Sequence, residues 1–170
     1  LAALMDLKNL HRGRLSDFAQ QHGLDFLEGR SPWHIPTDVA LPCAVQNELN
    51  LEDARRLIAN GVLCVAEGAN KPCTGEAVAA FQGAGTLFAP SKASNAGGVA
   101  TSGLEMAQNA MLLNWPRDEV DQRLRTIMSG IHALCVRYGH KEDGSLSYVD
   151  GANIAGFARV ADAMLAQGVC

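Results

Sequence analysis

The chain has 170 residues, of which 48% are hydrophobic and 19% are charged, and its formal net charge is −4. This composition is typical of a globular protein and excludes a disordered one, and the length favours a single domain. The acidic balance and the aromatic content of 5% argue against nucleic acid as a partner, and no apolar run approaches the roughly 18 residues that cross a membrane.

Short apolar segments in the first half of the chain predict β-strands. These segments lie at 24–28, 37–42, 62–69 and 86–90. Strands that alternate with helices of about ten residues indicate βαβ units. We therefore expect an α/β fold with a mainly parallel sheet, in which residues 39–42, 62–66 and 86–88 form adjacent strands.

Helices are predicted before and between these strands. One helical stretch runs to about His22. Asn50, with Asp53 three residues later, has the pattern of a helix N-terminus, and Gly61 closes that helix. Thr74 is expected to cap the next helix through its hydroxyl oxygen.

The second half of the chain is predicted to be helical throughout. Apolar residues recur near helical spacing over 95–114 and again over five turns that end at Gly139. Trp115-Pro116 separates these two helices, because proline is suited to the first turn of a new helix. A last helix ends at Gly168, after a polar loop that reads HKEDGS.

The cysteines and histidines favour a reduced cytoplasmic protein without a metal site. The five cysteines are Cys43, Cys64, Cys73, Cys135 and Cys170. Their number is odd and no C-x-x-C occurs, which is typical of free thiols, and the five histidines are scattered. The opening LAALMDLKNL has no signal-peptide pattern and reads as a helix already under way, so we expect a piece of a longer chain.

Small residues and side-chain amides follow three of the predicted strands. The segments read PCAVQNE at 42–48, EGANKP at 67–72 and PSKASNAGG at 90–98. Ligands of open parallel sheets bind beyond the carboxyl ends of the strands, and amides offer a donor and an acceptor to a carboxamide or to ribose hydroxyls. Asn and Gly are also ordinary turn residues, so the pattern alone leaves a ligand site and plain turns equally open.

The third of these strand ends carries the most specific pattern. Asn95 is placed to cap the long helix, and Gly97-Gly98 is expected to expose its first N–H groups to an anion. Val99 and Ser102 are three residues apart and share a helix face, which suits a ligand with an aliphatic stem and a carboxylate head. A Ser102 hydroxyl bonded back to the preceding turn is the alternative, and spacing alone favours it.

Other polar side chains near these ends have ordinary explanations. Lys92, near the glycines, could meet a phosphate, but a solvated loop lysine is favoured. Glu67 is a possible proton acceptor, although a carboxylate at a strand end more often caps or pairs. Cys43 and Cys73 flank the expected cleft without a neighbouring base, so neither is expected to be a nucleophile.

Four segments carry a resemblance to a known family. They read ALPCAVQNEL, VAEGANKP, LFAPSKASNAGGVATSGLEMAQN and VDGANIAGFARVADAMLAQG, and they resemble the NADP-dependent glutamate dehydrogenases of the bacterial hexameric type. The resemblance covers essentially the whole chain. It implies that residues 1–113 are the later part of a Rossmann-like dinucleotide-binding domain and 114–170 are C-terminal helices that pack back on it, with the N-terminal substrate domain absent.

The resemblance also implies an activity and a set of ligand contacts. Full-length relatives interconvert L-glutamate with 2-oxoglutarate and ammonia by hydride transfer to NADP, as cytoplasmic homo-oligomers that are hexamers. Ala44, Asn70 and Asn95 match positions near the nicotinamide half of the coenzyme. Val99 and Ser102 match positions that contact the side chain of glutamate, with Ser102 at its distal carboxylate.

The resemblance places other parts of the site outside this chain. The catalytic lysine and aspartate of the family belong to the substrate domain, and the pyrophosphate loop lies upstream. We therefore expect no catalytic residue here and no activity of this chain alone. Lys71 and Cys73 stand where relatives usually have Met and Thr, and Ser91 and Ser94 replace small residues. The preference for NADP rests on the resemblance, and NAD stays open.

Two alternatives remain at this stage. A related dehydrogenase for leucine or phenylalanine would share the architecture, but we expect it to carry an apolar residue where Ser102 stands, because its substrates lack a second carboxylate. A non-catalytic binding or assembly module is the other alternative.

Overall fold

The computed structural model of the protein describes residues 1–168, and the chain divides into two compact units. The first unit, Leu1–Pro32, contains the helices α1 (Ala2–Asn9) and α2 (Leu15–His22). The helical stretch predicted before His22 is therefore interrupted. Arg12 lies in the break with a φ of 50°, a left-handed conformation that an α-helix does not accommodate.

The strand predicted at 24–28 is wrong. Leu24, Phe26 and Leu27 are about half exposed, and no strand within the described residues pairs with this segment. A strand is stable only when a neighbour completes its backbone hydrogen bonds, so the apolar alternation of LDFLE forms an irregular loop instead.

The second unit begins at Trp33 and is built on three strands. They are β1 (Val39–Ala40), β2 (Cys64–Ala66) and β3 (Leu87–Ala89). All pair in parallel in the order β1-β2-β3, with Val65 opposite Ala40 on one side and Phe88 on the other. This arrangement confirms the predicted α/β fold and the predicted adjacency of the three segments.

The two helices between the strands begin where the sequence predicts. In α3 (Leu51–Ala59), the side chain of Asn50 accepts from the backbone N–H of Asp53, and the Asp53 carboxylate accepts from the N–H of Asn50, which completes a capping box. In α4 (Gly75–Gly83), the Thr74 hydroxyl accepts from the N–H of the third helical residue. Local capping therefore fixes the starts of both crossover helices.

The core lies between the sheet and these two helices, which pack against each other. A 3-10 turn at Pro32–His34 places Trp33 in the same core. The fully buried apolar side chains include Leu49, Leu57, Val65, Ala77 and Phe81. Phe81 stacks on Phe88 with 5.9 Å between ring centroids, which joins α4 to β3.

Four helices follow the last strand. They are α5 (Ser91–Ser94), α6 (Ala96–Met111), α7 (Arg117–Gly139) and α8 (Tyr148–Gln167). Residues 112–116 link α6 to α7, with Leu112 in a left-handed conformation (φ 56°). The domain boundary predicted between residues 113 and 114 falls in this linker and stays a prediction. The helix α7 packs along α8, and α8 also contacts β3.

Residues 1–168 contain neither a helix suited to a bilayer nor a cluster of metal-ligating side chains. None of their helices is long and apolar enough to cross a bilayer. The same residues contain no group of three or more His, Cys, Asp or Glu side chains arranged to hold a metal ion. The thiol predicted to be free at Cys170 lies outside the described residues.

Candidate functional site

The segments that follow the three strands surround a single cavity of about 640 Å³ with the first turn of α6. Its lining includes Ala44 and Gln46 after β1, Asn70 after β2, and Asn95 and Val99 at the start of α6. Parallel strands end at the same edge of a sheet, and this edge is where ligands of open α/β sheets bind. Four of the five predicted site residues therefore meet at one cavity, and Ser102 is not part of its lining.

Backbone contacts hold the first two of these segments together. The N–H groups of Gly68 and Ala69 both donate to the carbonyl of Pro42, at 2.9 and 3.1 Å. The approach is close enough that a Cβ on Gly68 would lie 2.4 Å from Cys43 Sγ. A glycine at this position allows the EGAN segment to lie directly against the PCA segment.

The two asparagines of the cavity are joined by their side chains. Asn95 Nδ2 donates to Asn70 Oδ1 at 2.7 Å and to the carbonyl of Ala69 at 3.2 Å. These bonds engage both hydrogens of the Asn95 amide. Among the described residues, none bonds to Asn95 Oδ1 or Asn70 Nδ2, so the pair offers one acceptor and one donor to a ligand.

The prediction that Asn95 caps the long helix needs correction. Asn95 does occupy the N-cap position of α6, but its side chain makes no capping bond and turns instead to Asn70. The N–H of Gly98 donates to the Asn95 carbonyl at 3.3 Å. The short helix α5 ends one residue before Asn95 and α6 begins one residue after it. The side chain of Asn95 extends to Asn70 at the cavity and does not cap α6.

Val99 and Ser102 lie where the helical spacing places them, but they differ in their relation to the cavity. Val99 is 74% exposed and lines it. Ser102 lies one turn further along α6, also exposed, and its hydroxyl donates to the Gly98 carbonyl at 3.3 Å. Thr101 makes the matching bond to Gly97 at 2.9 Å. The hydroxyl of Ser102 thus makes the local bond that its position on a helix favours.

A buried carboxylate, that of Glu67, bonds to the backbone of two segments near the cavity. Glu67 is 4% exposed, and its two carboxylate oxygens accept from the backbone N–H groups of Cys73 and Ser91. Its position at a strand end is compatible with a proton acceptor, a cap or an ion-pair partner, and the bond from the N–H of Ser91, the first residue of α5, gives it the capping role. Burial, and then the nearby Glu67 carboxylate, raise the pKa of the Cys73 thiol, which keeps this thiol protonated and unreactive.

Lys92 points away from the cavity. Its ammonium group donates to the side-chain oxygen of Asn153 in α8. Lys92 lies in the short helix α5 and has a side-chain partner, so it is not the solvated loop lysine that the sequence favours. Cys43, in contrast, is exposed and lines the cavity. The sequence predicts that Cys43 flanks the cleft, and the lining of the cavity confirms this position.

Comparisons with known proteins agree over most of the chain. The family model described as Glutamate/Leucine/Phenylalanine/Valine dehydrogenase matches residues 1–168. The NADP-specific glutamate dehydrogenase of Haemophilus influenzae is 60% identical over 170 residues, which cover 99% of this chain and 38% of that protein. The NAD-specific glutamate dehydrogenase of Bacteroides fragilis is 59% identical over 147 residues, which cover 86% of this chain and 33% of that protein.

Solved structures agree with the sequence relatives. Glutamate dehydrogenase 2 of Plasmodium falciparum superposes with a TM-score of 0.90 at 43% identity, over 98% of this chain and 37% of that one. The chain therefore spans less than two fifths of the length of each of these three proteins, about 38% in the case of the Haemophilus relative.

Proposed function

The chain belongs to the glutamate/leucine/phenylalanine/valine dehydrogenase family, and from this we propose that it is part of an NADP-dependent glutamate dehydrogenase. In this proposal residues 1–113 form the later part of the coenzyme domain and 114–170 form the C-terminal helices. The whole protein interconverts L-glutamate with 2-oxoglutarate and ammonia. The observation that carries the proposal is the strand-end cavity that Ala44, Asn70, Asn95 and Val99 share.

The cavity fits the nicotinamide half of a dinucleotide. Its volume of about 640 Å³ lies within the range of small-molecule sites. A carboxamide carries one acceptor and one donor group, which complement Asn70 Nδ2 and Asn95 Oδ1. Ala44 adds a small side chain that lets a flat ring approach. When bound there, the coenzyme supplies hydride chemistry, and these residues orient it.

The start of α6 fits the side chain of glutamate. Val99 offers an apolar wall to the methylene groups, and Ser102 offers a hydroxyl one turn further along. A bond between two neutral groups, such as that from Ser102 to the Gly98 carbonyl, contributes about 0.5–1.5 kcal/mol, whereas a bond to a charged group contributes about 1.5–3 kcal/mol. Exchange of the local bond for a substrate carboxylate is therefore favourable.

The coenzyme and the assembly of the enzyme are proposed from the relatives and from the resemblance. We propose NADP as the coenzyme, since the Haemophilus relative is named NADP-specific. The Bacteroides relative named NAD-specific is almost as similar, so the residues that select between the coenzymes need not lie in this segment. The cytoplasmic homo-hexamer implied by the resemblance is likewise a proposal.

The test uses a complete enzyme. Residues 1–170 replace the matching segment of the Haemophilus relative, and the absorbance of NADPH reports turnover of glutamate, norvaline and leucine. We expect the chimaera to prefer glutamate. Turnover of leucine but not glutamate would favour the related dehydrogenase, and a correctly assembled chimaera without any dehydrogenase activity would contradict the proposal.

The role of Ser102 is tested in the same chimaera. Ser102→Val removes the hydroxyl, and we expect kcat/KM for glutamate to fall by roughly 10- to 150-fold, with a smaller loss for norvaline. Thr101→Val is the matched control, because it removes a neighbouring exposed hydroxyl with the same local bond. Equal losses for glutamate and norvaline would show that Ser102 does not contact the distal carboxylate.

A further inference from the structure

The carboxylate of Glu67 joins the two segments that carry the asparagine pair. Its Oε1 accepts from the N–H of Cys73 at 3.2 Å and its Oε2 accepts from the N–H of Ser91 at 2.7 Å. Its own backbone carbonyl accepts from the hydroxyl of Ser94 at 2.5 Å. The end of β2 is therefore tied at three points to the loop that follows it and to the short helix α5.

Both asparagines lie in or next to the segments that bond to Glu67. Asn70 lies between Glu67 and Cys73, and Asn95 directly follows Ser94. The 2.7 Å bond from Asn95 to Asn70 spans these two segments. Its geometry depends on how far apart the segments are held, and the carboxylate of Glu67 is one of the contacts between them, together with the bond from the N–H of Lys71 to the Ser91 hydroxyl.

Glu67 satisfies the conditions for a structural rather than a reacting carboxylate. It does not line the cavity. Among the described residues no Lys, Arg or His forms an ion pair with it, so the backbone N–H groups are what stabilise its buried charge. We propose that Glu67 is a positioning residue, which holds the Asn70–Asn95 pair in the orientation that receives the carboxamide of the coenzyme; this inference rests on the proposed function.

The chemistry of the site requires a carboxylate of this length. Two backbone donors on separate segments need two acceptor oxygens, and a glutamine offers only one, with its NH₂ directed at the other donor. An aspartate is one methylene shorter and cannot keep both contacts. Glu67→Gln is therefore a nearly isosteric change that removes one of the two carboxylate contacts and leaves the other bonds between the segments in place.

The experiment uses the chimaeric enzyme described above. We expect Glu67→Gln to lower kcat/KM for NADP⁺ by about tenfold or more, with little change in KM for glutamate. Asp53→Asn is the matched control, because Asp53 is also a buried acid that accepts a backbone N–H, but it caps α3 and makes no hydrogen bond with the segments that carry Asn70 and Asn95. Circular dichroism sets an assay temperature at which all variants are folded.

A double-mutant cycle separates positioning from general stability. If Glu67 acts through the asparagine pair, Glu67→Gln should cost far less when Asn95→Ala is already present, because the pair no longer exists. If Glu67→Gln does not fold, Ser94→Ala loosens the same junction more mildly and should lower kcat/KM for NADP⁺ in the same direction.

The outcomes distinguish this inference from the proposed function. An inactive unsubstituted chimaera overturns the proposed function and this inference with it. An active chimaera in which Glu67→Gln behaves like Asp53→Asn, or in which its effect adds to that of Asn95→Ala, overturns only the positioning role of Glu67.

Discussion

The crossing of α7 and α8 leaves no room for a side chain at Gly151. A Cβ built there would lie 2.0 Å from the carbonyl oxygen of Cys135 and 2.8 Å from its carbonyl carbon. Both atoms belong to the backbone of α7, so no side-chain rotation can relieve the overlap. In Gly151→Ala the two helices must separate by roughly 1.4 Å to restore an ordinary van der Waals contact.

The size of the destabilisation follows from the packing between α7 and α8 that this separation removes. Overpacking of a close interface costs about 1–3 kcal/mol and sometimes more, and a gap of this size forfeits a large part of the dispersion energy between the helices. Alanine regains about 1 kcal/mol from its helix propensity. Because the clash is with backbone, we expect a net loss of about 2 kcal/mol or more in the free energy of unfolding, and a melting temperature lower by roughly 4–8 °C.

Urea and thermal unfolding, followed by far-ultraviolet circular dichroism, measure this loss. Gly156→Ala on the same helix is the matched control, because a Cβ at Gly156 meets nothing within 4 Å. We expect that control to gain about 0.5–1 kcal/mol. If Gly151→Ala were as stable as the unsubstituted chain, α7 and α8 would not cross as closely as the structure has them.

Two further predictions concern the cavity and the start of α8. Gly68→Ala places a Cβ 2.4 Å from Cys43 Sγ, so the side chain of Cys43, which lines the cavity, must shift. In the chimaera we expect a raised KM for NADP⁺ that Cys43→Ala in the same chain restores. A KM unaffected by either change would refute this. A hydrogen bond from Ser147 holds the pKa of Asp150 below its ordinary value. The pKa of Asp150 is lower in the folded chain than in the unfolded chain, where it is near 3.8. At pH values above 3.8 the carboxylate therefore makes its full contribution to stability, and this contribution is lost as the pH falls through the folded pKa. Asp150→Asn should therefore lower the melting temperature at about pH 6 but not at about pH 2, by an amount that corresponds to less than about 1 kcal/mol; an equal difference at both pH values would contradict the assignment.

Local signals account for the parts of the fold that the sequence predicts well. Asn50 and Thr74 mark the starts of α3 and α4 because their side chains bond to backbone only two or three residues away. The adjacent parallel strands follow from the alternation of strand and helix. The strand expected at 24–28 does not form, because strand formation depends on a pairing partner that a local pattern does not reveal.

Some features of the site could likewise be predicted from local patterns and strand order, whereas others depend on the tertiary structure. Topology alone brings Ala44, Asn70 and Asn95 to one edge of the sheet, so their convergence could be predicted. Helical spacing places Val99 and Ser102 on one face, but it does not say that the cavity ends before Ser102. The contact roles of these five residues with coenzyme and substrate stay predictions.

The orientation of the asparagine pair could not be read from the sequence, and it determines what the cavity can recognise. An isolated asparagine can rotate by half a turn and exchange its donor for its acceptor. Asn95 cannot do so without directing its oxygen at two other acceptors, Asn70 Oδ1 and the carbonyl of Ala69. The donor and the acceptor that face a ligand are thus fixed before the ligand binds, which removes an ordering cost from binding. The buried carboxylate of Glu67 accepts from one N–H group on each of the two segments, and in the positioning role proposed above these contacts hold the segments at the distance that the Asn95–Asn70 hydrogen bond requires.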